Sequence, residues 1–469
     1  MIDDHNIQDT RIRQLNDLDI RSDADYVLYW MQQSQRAEVN HALEYAVLQA
    51  NHLDLGVVVA FGITDDYPDA NLRHYTFMLE GLTETKANLE KRGIQLVVRR
   101  GSPPDVALEL GQDAAMIVCD RGYLKHQRLW RDRVARNASC RVFQVESDVI
   151  VPIEKVSPKA EYAARTIRPK IQKYLDDYLI ELKPVKVRHA TMNHSFEGLE
   201  WKRPADILAM LNIDRTVSDV TRFFKGGTSQ AKKTFDNFIR SRLKNYEKNH
   251  NQPQTDDTSH MSMYLHFGQI SPLYLALKIN RSARHLDSAK ASFLEELIVR
   301  RELAANFVYY HPDYDNFDCT PQWAKQTLDD HRKDHRPYTY SRGQLEDANT
   351  HDPYWNAAMQ EMKYTGFMHN YMRMYWGKKI LEWSSSPERA FRNTLAMNNK
   401  YFLDGRDPNS YAGVAWIFGM HDRAWPQRPI YGKVRCMMAS GLERKCDIHA
   451  YVNKVNIFIE KSKRFVTSQ

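Results

Sequence analysis

Cysteine is scarce and scattered in this chain of 469 residues: Cys119, Cys140, Cys319, Cys436 and Cys446 are odd in number and show no CxxC or Cys/His ligand spacing. That argues against a disulfide framework and against a zinc site, and no metal is expected. No apolar run approaches the ~18 residues needed to cross a bilayer. The start, Met1 to Ile20, is polar and acidic, without the basic and apolar regions of a secretory signal. An intracellular, soluble protein is expected, in the cytoplasm or, in a eukaryote, the nucleus. No GxGxxG or GxxxxGK(S/T) follows a strand-like run, which disfavours a Rossmann dinucleotide site or a P-loop. One-signed charge is missing as well: 66 Lys and Arg against 59 Asp and Glu leave +7, too little by itself to mark a nucleic-acid binder.

What is present divides the chain. Its length favours two domains, and 42% hydrophobic with 27% charged residues fits a globular protein. From Asp25 short apolar runs alternate with helical stretches: Tyr26–Trp30, Leu55–Phe61, Gln95–Val98, Ala115–Val118 and Cys140–Val145. This pattern predicts parallel βαβ units in a doubly wound, Rossmann-like sheet over 23–150, behind a tail at 1–22. Polar segments Met31–Ser34 and Cys119–Gly122 then fall at the carboxyl edge, where open α/β sheets bind ligands. Five prolines between Val151 and Pro204 mark an interdomain linker at 151–204. Long amphipathic stretches beyond it, such as Ser292–Tyr309 and Trp355–Trp383, predict a helical domain over 205–469.

Charge is uneven along this second half. Between Thr221 and His250, Arg222, Lys225, Lys232, Lys233, Arg240, Arg242, Lys244 and Lys248 face only Asp236 and Glu247, and a second basic region runs from Arg423 to Arg464. A solvated helix face is the plain reading; a polyanionic partner is the functional one.

Four constellations carry chemistry. Met368, Met372, Trp376, Ile380 and Trp383 recur at three- and four-residue steps, a stripe that reads as core or as an electron path. Trp376 and Trp383 stand two turns apart, roughly 10 Å. Asn398-Asn399 and Asp404-Gly405-Arg406-Asp407-Pro408 read as a turn whose side chains bond their own backbone, or as a pocket floor for a heterocycle. Thr258 to Ser271 offers hydroxyls and amides ahead of a helix, for capping or for phosphates. In Phe293 to Leu303 acids and bases share a helix with apolar residues. That suits a salt-bridged surface, or a buried glutamate raised by desolvation.

In this order the motifs resemble the cryptochrome/photolyase superfamily, closest to the class II cyclobutane pyrimidine dimer photolyases. The likeness covers nearly the whole chain. It rests on Tyr29-Trp30-Met31, Glu161 to Pro169, Tyr264 to Ser271, Glu295 to Glu302, Met372 to Trp376, Asp404 to Pro408 and His421 to Trp425.

The resemblance implies a helical domain holding U-shaped FAD behind an antenna domain, with a second chromophore, a deazaflavin or a folate, left open. Ser259, Met261, Ser262, Gln269, Arg373, Asn398, Asp404 and Asp407 would bind FAD. Asn398 would face the reactive flavin nitrogen, Glu296 would hydrogen-bond the pyrimidine carbonyl edge, and Met374 would join them in catalysis. Trp416, His250, Asn251, Asp422, Arg423 and Trp425 would meet the lesion and its DNA. Trp355, Trp376 and Trp383 would carry electrons to oxidised flavin. The implied activity is light-driven splitting of pyrimidine dimers flipped out of damaged DNA, by a monomer with no obligate protein partner. A signalling photoreceptor without repair is the alternative, and the absence of a long tail after Lys463 counts against it. Three departures stand out: His250-Asn251-Gln252-Pro253 replaces an Arg-Asn-Asp-Pro segment, His260 and Met263 replace a glycine and a proline, and Asn399 replaces an aspartate. Altered substrate affinity is expected.

Overall fold

The computed structural model describes residues 7–282 and 286–466. A short β1 (Ile12–Gln14) precedes the five predicted strands, β2 (Tyr26–Trp30), β3 (Gly56–Ile63), β4 (Gln95–Arg100), β5 (Ala114–Asp120) and β6 (Arg141–Val145). The crossings are made by helices α1 (His41–His52), α2 (Leu72–Glu90), α3 (Pro103–Leu110) and α4 (Lys125–Asn137). Every residue of β3 and β5 is buried, as parallel strands covered by helices on both faces must be. The order β1-β6-β5-β2-β3-β4 runs outward from β2 and then returns to its other flank, so the sheet is doubly wound.

Both edges are closed by segments whose sequence reads as irregular. The first 22 residues, expected as a tail, supply β1, which pairs antiparallel with β6. Residues 151–204, expected as a crossing layer, hold short helices and then run along the free edge of β4. There the Thr191 N–H donates to the Gly93 carbonyl at 2.9 Å and the Leu199 N–H to Val98 at 2.7 Å. Closing an edge removes a template for unwanted strand pairing.

In the second half the sequence repeatedly places a capping side chain before proline. Ser271-Pro272, Asp352-Pro353, Ser386-Pro387 and Asp407-Pro408 each start a helix, and in each the cap's oxygen accepts a backbone N–H of the first turn. Proline costs nothing at a first position whose N–H lacks a partner anyway. The helices Pro353–Thr365, Asn370–Trp383, Pro387–Tyr401 and Pro408–Ile417 pack around a second core that includes Trp355, Trp376 and Trp383. No helix among the described residues is long and apolar enough to cross a membrane.

A polar seam joins the halves. Arg36, wholly buried, donates to Asp148 at 2.7 Å and to the Gly268 carbonyl at 3.0 Å. Gly268 takes φ +64°, and a Cβ there would stand 2.0 Å from the Gln33 carbonyl oxygen. Only glycine lets the two backbones meet.

Candidate functional site

The loop after the Pro387–Tyr401 helix turns back under the Asn370–Trp383 helix. Arg373 reaches across to grip Asp404 with both forks at 3.0 and 3.1 Å, the strongest geometry a guanidinium and a carboxylate make. Its guanidinium carbon lies 3.9 Å from the Phe402 ring centroid. Asn398, buried at the end of its helix, donates to the Asn399 side chain at 3.1 Å. Asn399 turns away, donating to Asp69 of the front domain at 3.0 Å and accepting the Arg406 N–H. It holds the loop.

The loop's far end meets the Tyr264–Ser271 motif. Arg406 donates to His266 Nε2 at 3.4 Å and His266 Nδ1 lies 3.4 Å from Asp407. With Nε2 accepting, the imidazole proton sits on Nδ1 and is given to the carboxylate. Desolvation pushes His266 down, toward the neutral ring this requires. Desolvation also pushes Asp407 up, but the His266 hydrogen bond and the field of Arg301 hold it at about 2. The same carboxylate caps the Pro408–Ile417 helix.

Upstream, Ser259 and Met261 flank His260, and Ser262 opens a short helix. His260 has φ +55°, a backbone that favours glycine. Its ring lies 4.8 Å from Phe367 and Nε2 is 2.8 Å from Asp256. Gln269, expected at the cofactor, is fully buried and braces the fold: it accepts the Gly227 N–H at 2.7 Å and donates to the Phe77 carbonyl at 3.0 Å. Both ends of its amide are taken by the protein.

The Phe293 to Leu303 stretch is interrupted by a π-helical turn at Glu295–Arg300, a departure that concentrates at functional sites. Its adjacent acids diverge. Glu295 is gripped by Arg168 of the linker at 2.9 and 2.7 Å, and that partner holds its carboxyl low. Glu296 has no such partner among the described residues, and its side chain stays exposed rather than buried as the sequence suggested; the protein packed around it still raises its carboxyl by desolvation, while Arg300 and His250 pull it down. His250 and Asn251 are thus brought to the Glu296 side, with Asn251 Nδ2 2.7 Å from His250 Nε2. The basic stripe is partly neutralised, Lys232 by Glu38 and Arg242 by Asp256.

At the other end of the Pro408–Ile417 helix, Trp416 is half-buried, as is Met374 on the neighbouring helix. Lys378 stands 4.7 Å and Arg435 5.4 Å from the Trp416 ring. Arg423 is exposed beside Trp425, 5.2 Å from its ring. Asp422, grouped above with DNA contacts, braces this surface: its carboxylate meets Arg435 at 3.3 Å and accepts the Trp425 indole N–H at 3.4 Å. Lys378 and Arg435 escape sequence reading because nothing in their spacing distinguishes them from surface cations.

The three tryptophans form one connected series. Trp376 lies 6.2 Å from Phe402, beside Arg373. The Trp355 indole N–H donates to the Trp376 carbonyl at 2.9 Å, and the Trp355 and Trp383 rings are 5.5 Å apart. Trp383 in turn meets Tyr340 and His351, each at 5.3 Å.

A separate cavity opens at the carboxyl edge of the sheet, lined among others by Gln32, Gln33, Tyr67, Trp130, His266 and Arg406. The sequence located its Met31–Ser34 wall. The last two residues come from the helical half.

Comparisons with known proteins agree with this architecture. The DNA photolyase family model matches residues 27–189. A deoxyribodipyrimidine photo-lyase of Methanothermobacter thermautotrophicus is 50% identical over 446 residues, 95% of this chain and 98% of that one. One from Arabidopsis thaliana is 38% identical over 93% of this chain and 90% of its own. Among solved structures, a bacterial class III photolyase from Agrobacterium tumefaciens superposes with TM-score 0.72 at 18% identity, covering 92% of this chain and 86% of that one. An archaeal photolyase from Sulfolobus tokodaii with two FAD molecules gives TM-score 0.62 at 17% identity, over 84% and 83%.

Proposed function

The chain belongs to the DNA photolyase family, and on that premise we propose how its own residues divide the labour of light-dependent DNA repair. Its reaction is that of its full-length relatives, all deoxyribodipyrimidine photo-lyases. The observation that carries the assignment of the site is a single helix, Asn370–Trp383, on which Arg373, Met374 and Trp376 sit within one turn. We assign the finer class, class II repair of cyclobutane pyrimidine dimers, from the same motifs.

FAD fits the donor set beside that helix. Among the described residues, buried N–H groups without a protein partner include Arg301 Nε, Arg406 Nε, Trp376 Nε1 and His369 Nε2. They combine N–H groups suited to phosphates and heterocycle edges with the nearby carboxylates of Asp404 and Asp407, suited to sugar hydroxyls. When bound and reduced, the flavin supplies the light-excited electron that splits the dimer. Arg373, fixed by Asp404, and Asn398, fixed by Asn399, would hold the isoalloxazine, and Ser259, Met261 and Ser262 would hold the pyrophosphate. Trp383, Trp355 and Trp376, outermost to innermost, would relay electrons inward to an oxidised cofactor.

Glu296, Met374, His250, Asn251 and Trp416 wall the lesion pocket. Glu296 keeps a proton more readily than an ordinary glutamate because it is desolvated, which suits it to hydrogen-bond a pyrimidine carbonyl that gains charge. A dimer stacked in duplex DNA is out of reach, so it is flipped out, and a distorted lesion costs less to unstack than a normal pair. Arg423 and Trp425 meet the flanking strand, which makes affinity salt-dependent. The front cavity, lined by Trp130, Tyr67 and glutamine amides, takes a second planar chromophore, and the enzyme works as a monomer.

An absorbance spectrum and one repair assay test this reading together. Purified protein shows flavin bands and, once reduced, restores dimer-containing DNA under blue light but not in darkness. Equal outcomes in light and dark refute it.

A further inference from the structure

Lys378 is a charged side chain beside Trp416 that the roles above leave unused. It is wholly buried, and no carboxylate lies within ion-pair distance among the described residues. Its Nζ donates to the Ile417 carbonyl at 2.5 Å, at the last residue of the Pro408–Ile417 helix, and stands 4.7 Å from the centre of the Trp416 ring. The approach is built in. Gly377 lets the two helices touch, since a Cβ there would be 2.0 Å from Ile417 Cδ1.

Burying an unpaired ammonium is costly, and a methionine would fill the same space without that cost. What the charge provides is local. It satisfies a carbonyl at the negative end of a helix dipole and attracts the π face of the indole one residue earlier, a contact that strengthens when desolvated. The other charged and titratable groups facing it are Asp422, Arg435 and Cys436, all from the loop beyond the helix. Asp422 is engaged by Arg435, whose guanidinium also addresses the Trp416 ring. Two cations therefore fix one half-buried indole.

We propose that Lys378 is a positioning residue for lesion recognition: by pinning the last turn of its helix and the Trp416 indole together, it presents that ring to the flipped-out pyrimidines. This rests on reading Trp416 as a wall of the lesion pocket. Burial drags the ammonium down to about 7, so above that pH the charge and its hold on the indole are lost and only a weaker hydrogen bond to the Ile417 carbonyl remains.

The test is binding of the flavin-loaded protein to matched oligonucleotides with and without a dimer, from pH 6 to pH 9. For Lys378→Met the dimer-specific affinity falls about tenfold, about 1.4 kcal/mol, while flavin content and affinity for undamaged DNA stay level. The wild type loses dimer affinity as pH rises through about 7, and the variant does not. An unchanged affinity in a folded variant, an equal loss on both oligonucleotides, or a wild-type profile as flat as the variant's overturns the proposal. Should the methionine variant fail to fold, Lys378→Arg, which keeps its charge throughout this range, decides: dimer affinity that stays level up to pH 9 supports the proposal, and a fall like that of the wild type overturns it. Trp416→Ala separates the two readings. No loss there removes the pocket assignment itself, whereas a loss there with Lys378→Met unaffected removes only the role of the lysine.

Discussion

Neighbouring residues of one chemical type have been given opposite environments. Glu295 and Glu296 are adjacent, yet the first is clamped by Arg168 and Arg300, while the second makes no ion pair among the described residues and feels Arg300 only through its field. Replacing Glu296 by Gln removes a proton-sharing contact of about 1–2 kcal/mol, so repair per absorbed photon falls roughly fivefold or more while the flavin spectrum and DNA affinity hold. Glu295→Gln, at a half-exposed ion pair, costs at most about 1 kcal/mol in chemical denaturation and leaves repair intact. Matching losses from both variants would contradict the division of roles. The sequence displays the two acids and the bases around them but not which acid is free. That depends on the π-helical turn at Glu295–Arg300, and a π turn rotates side chains away from the 3.6-residue period on which a pattern reading rests.

Elements tell the same story one level up. The apolar stripe Met368, Met372, Trp376, Ile380, Trp383 is legible as a helical face, and all five residues are indeed buried. That stripe could not place Trp355, which belongs to the preceding helix and reaches the series by donating to the Trp376 carbonyl. Trp376 lies next to Phe402 and Arg373, and on the reading proposed above it stands nearest the flavin. Trp376→Phe therefore slows photoreduction of oxidised flavin at least tenfold but leaves repair by chemically pre-reduced enzyme near wild type; loss of both points to a collapsed fold. The parallel strands were legible because each carries a short apolar run, unbroken in β2 and β3 and still evident in β6 despite Gln144, whereas β1, reading Ile-Arg-Gln, carries too few residues to signal its pairing with β6. Where helices touch, the packing is unforgiving. Gly377→Ala drives a methyl into Ile417 and costs about 1–3 kcal/mol of stability, measurable by urea denaturation, whereas a full-strength protein would show that the two helices have room to part.

At the scale of the whole molecule, the two halves are locked by buried polar groups that the sequence cannot pair, because each partner comes from more than 100 residues away. Glu302 is the clearest case. One carboxyl oxygen accepts the N–H groups of Ile150 at 2.7 Å and Val151 at 3.2 Å, tying the end of the front domain to the helix Arg301–Tyr310. The other has no partner. Desolvation outweighs these N–H groups and the field of Arg11 and raises the carboxyl to about 8. Between its ordinary value of 4.5 and about 8, the folded protein holds a proton there that the unfolded chain has released. Stability from this group is therefore full at low pH and falls as pH rises through that window, by up to about 1.4 kcal/mol per pH unit. Glu302→Gln keeps the accepting oxygen and cannot ionise. Its melting temperature is expected to be close to wild type at pH 5 and several degrees above it at pH 8.5, and melting curves that stay parallel from pH 5 to pH 9 would show that Glu302 does not set the pH response of the seam.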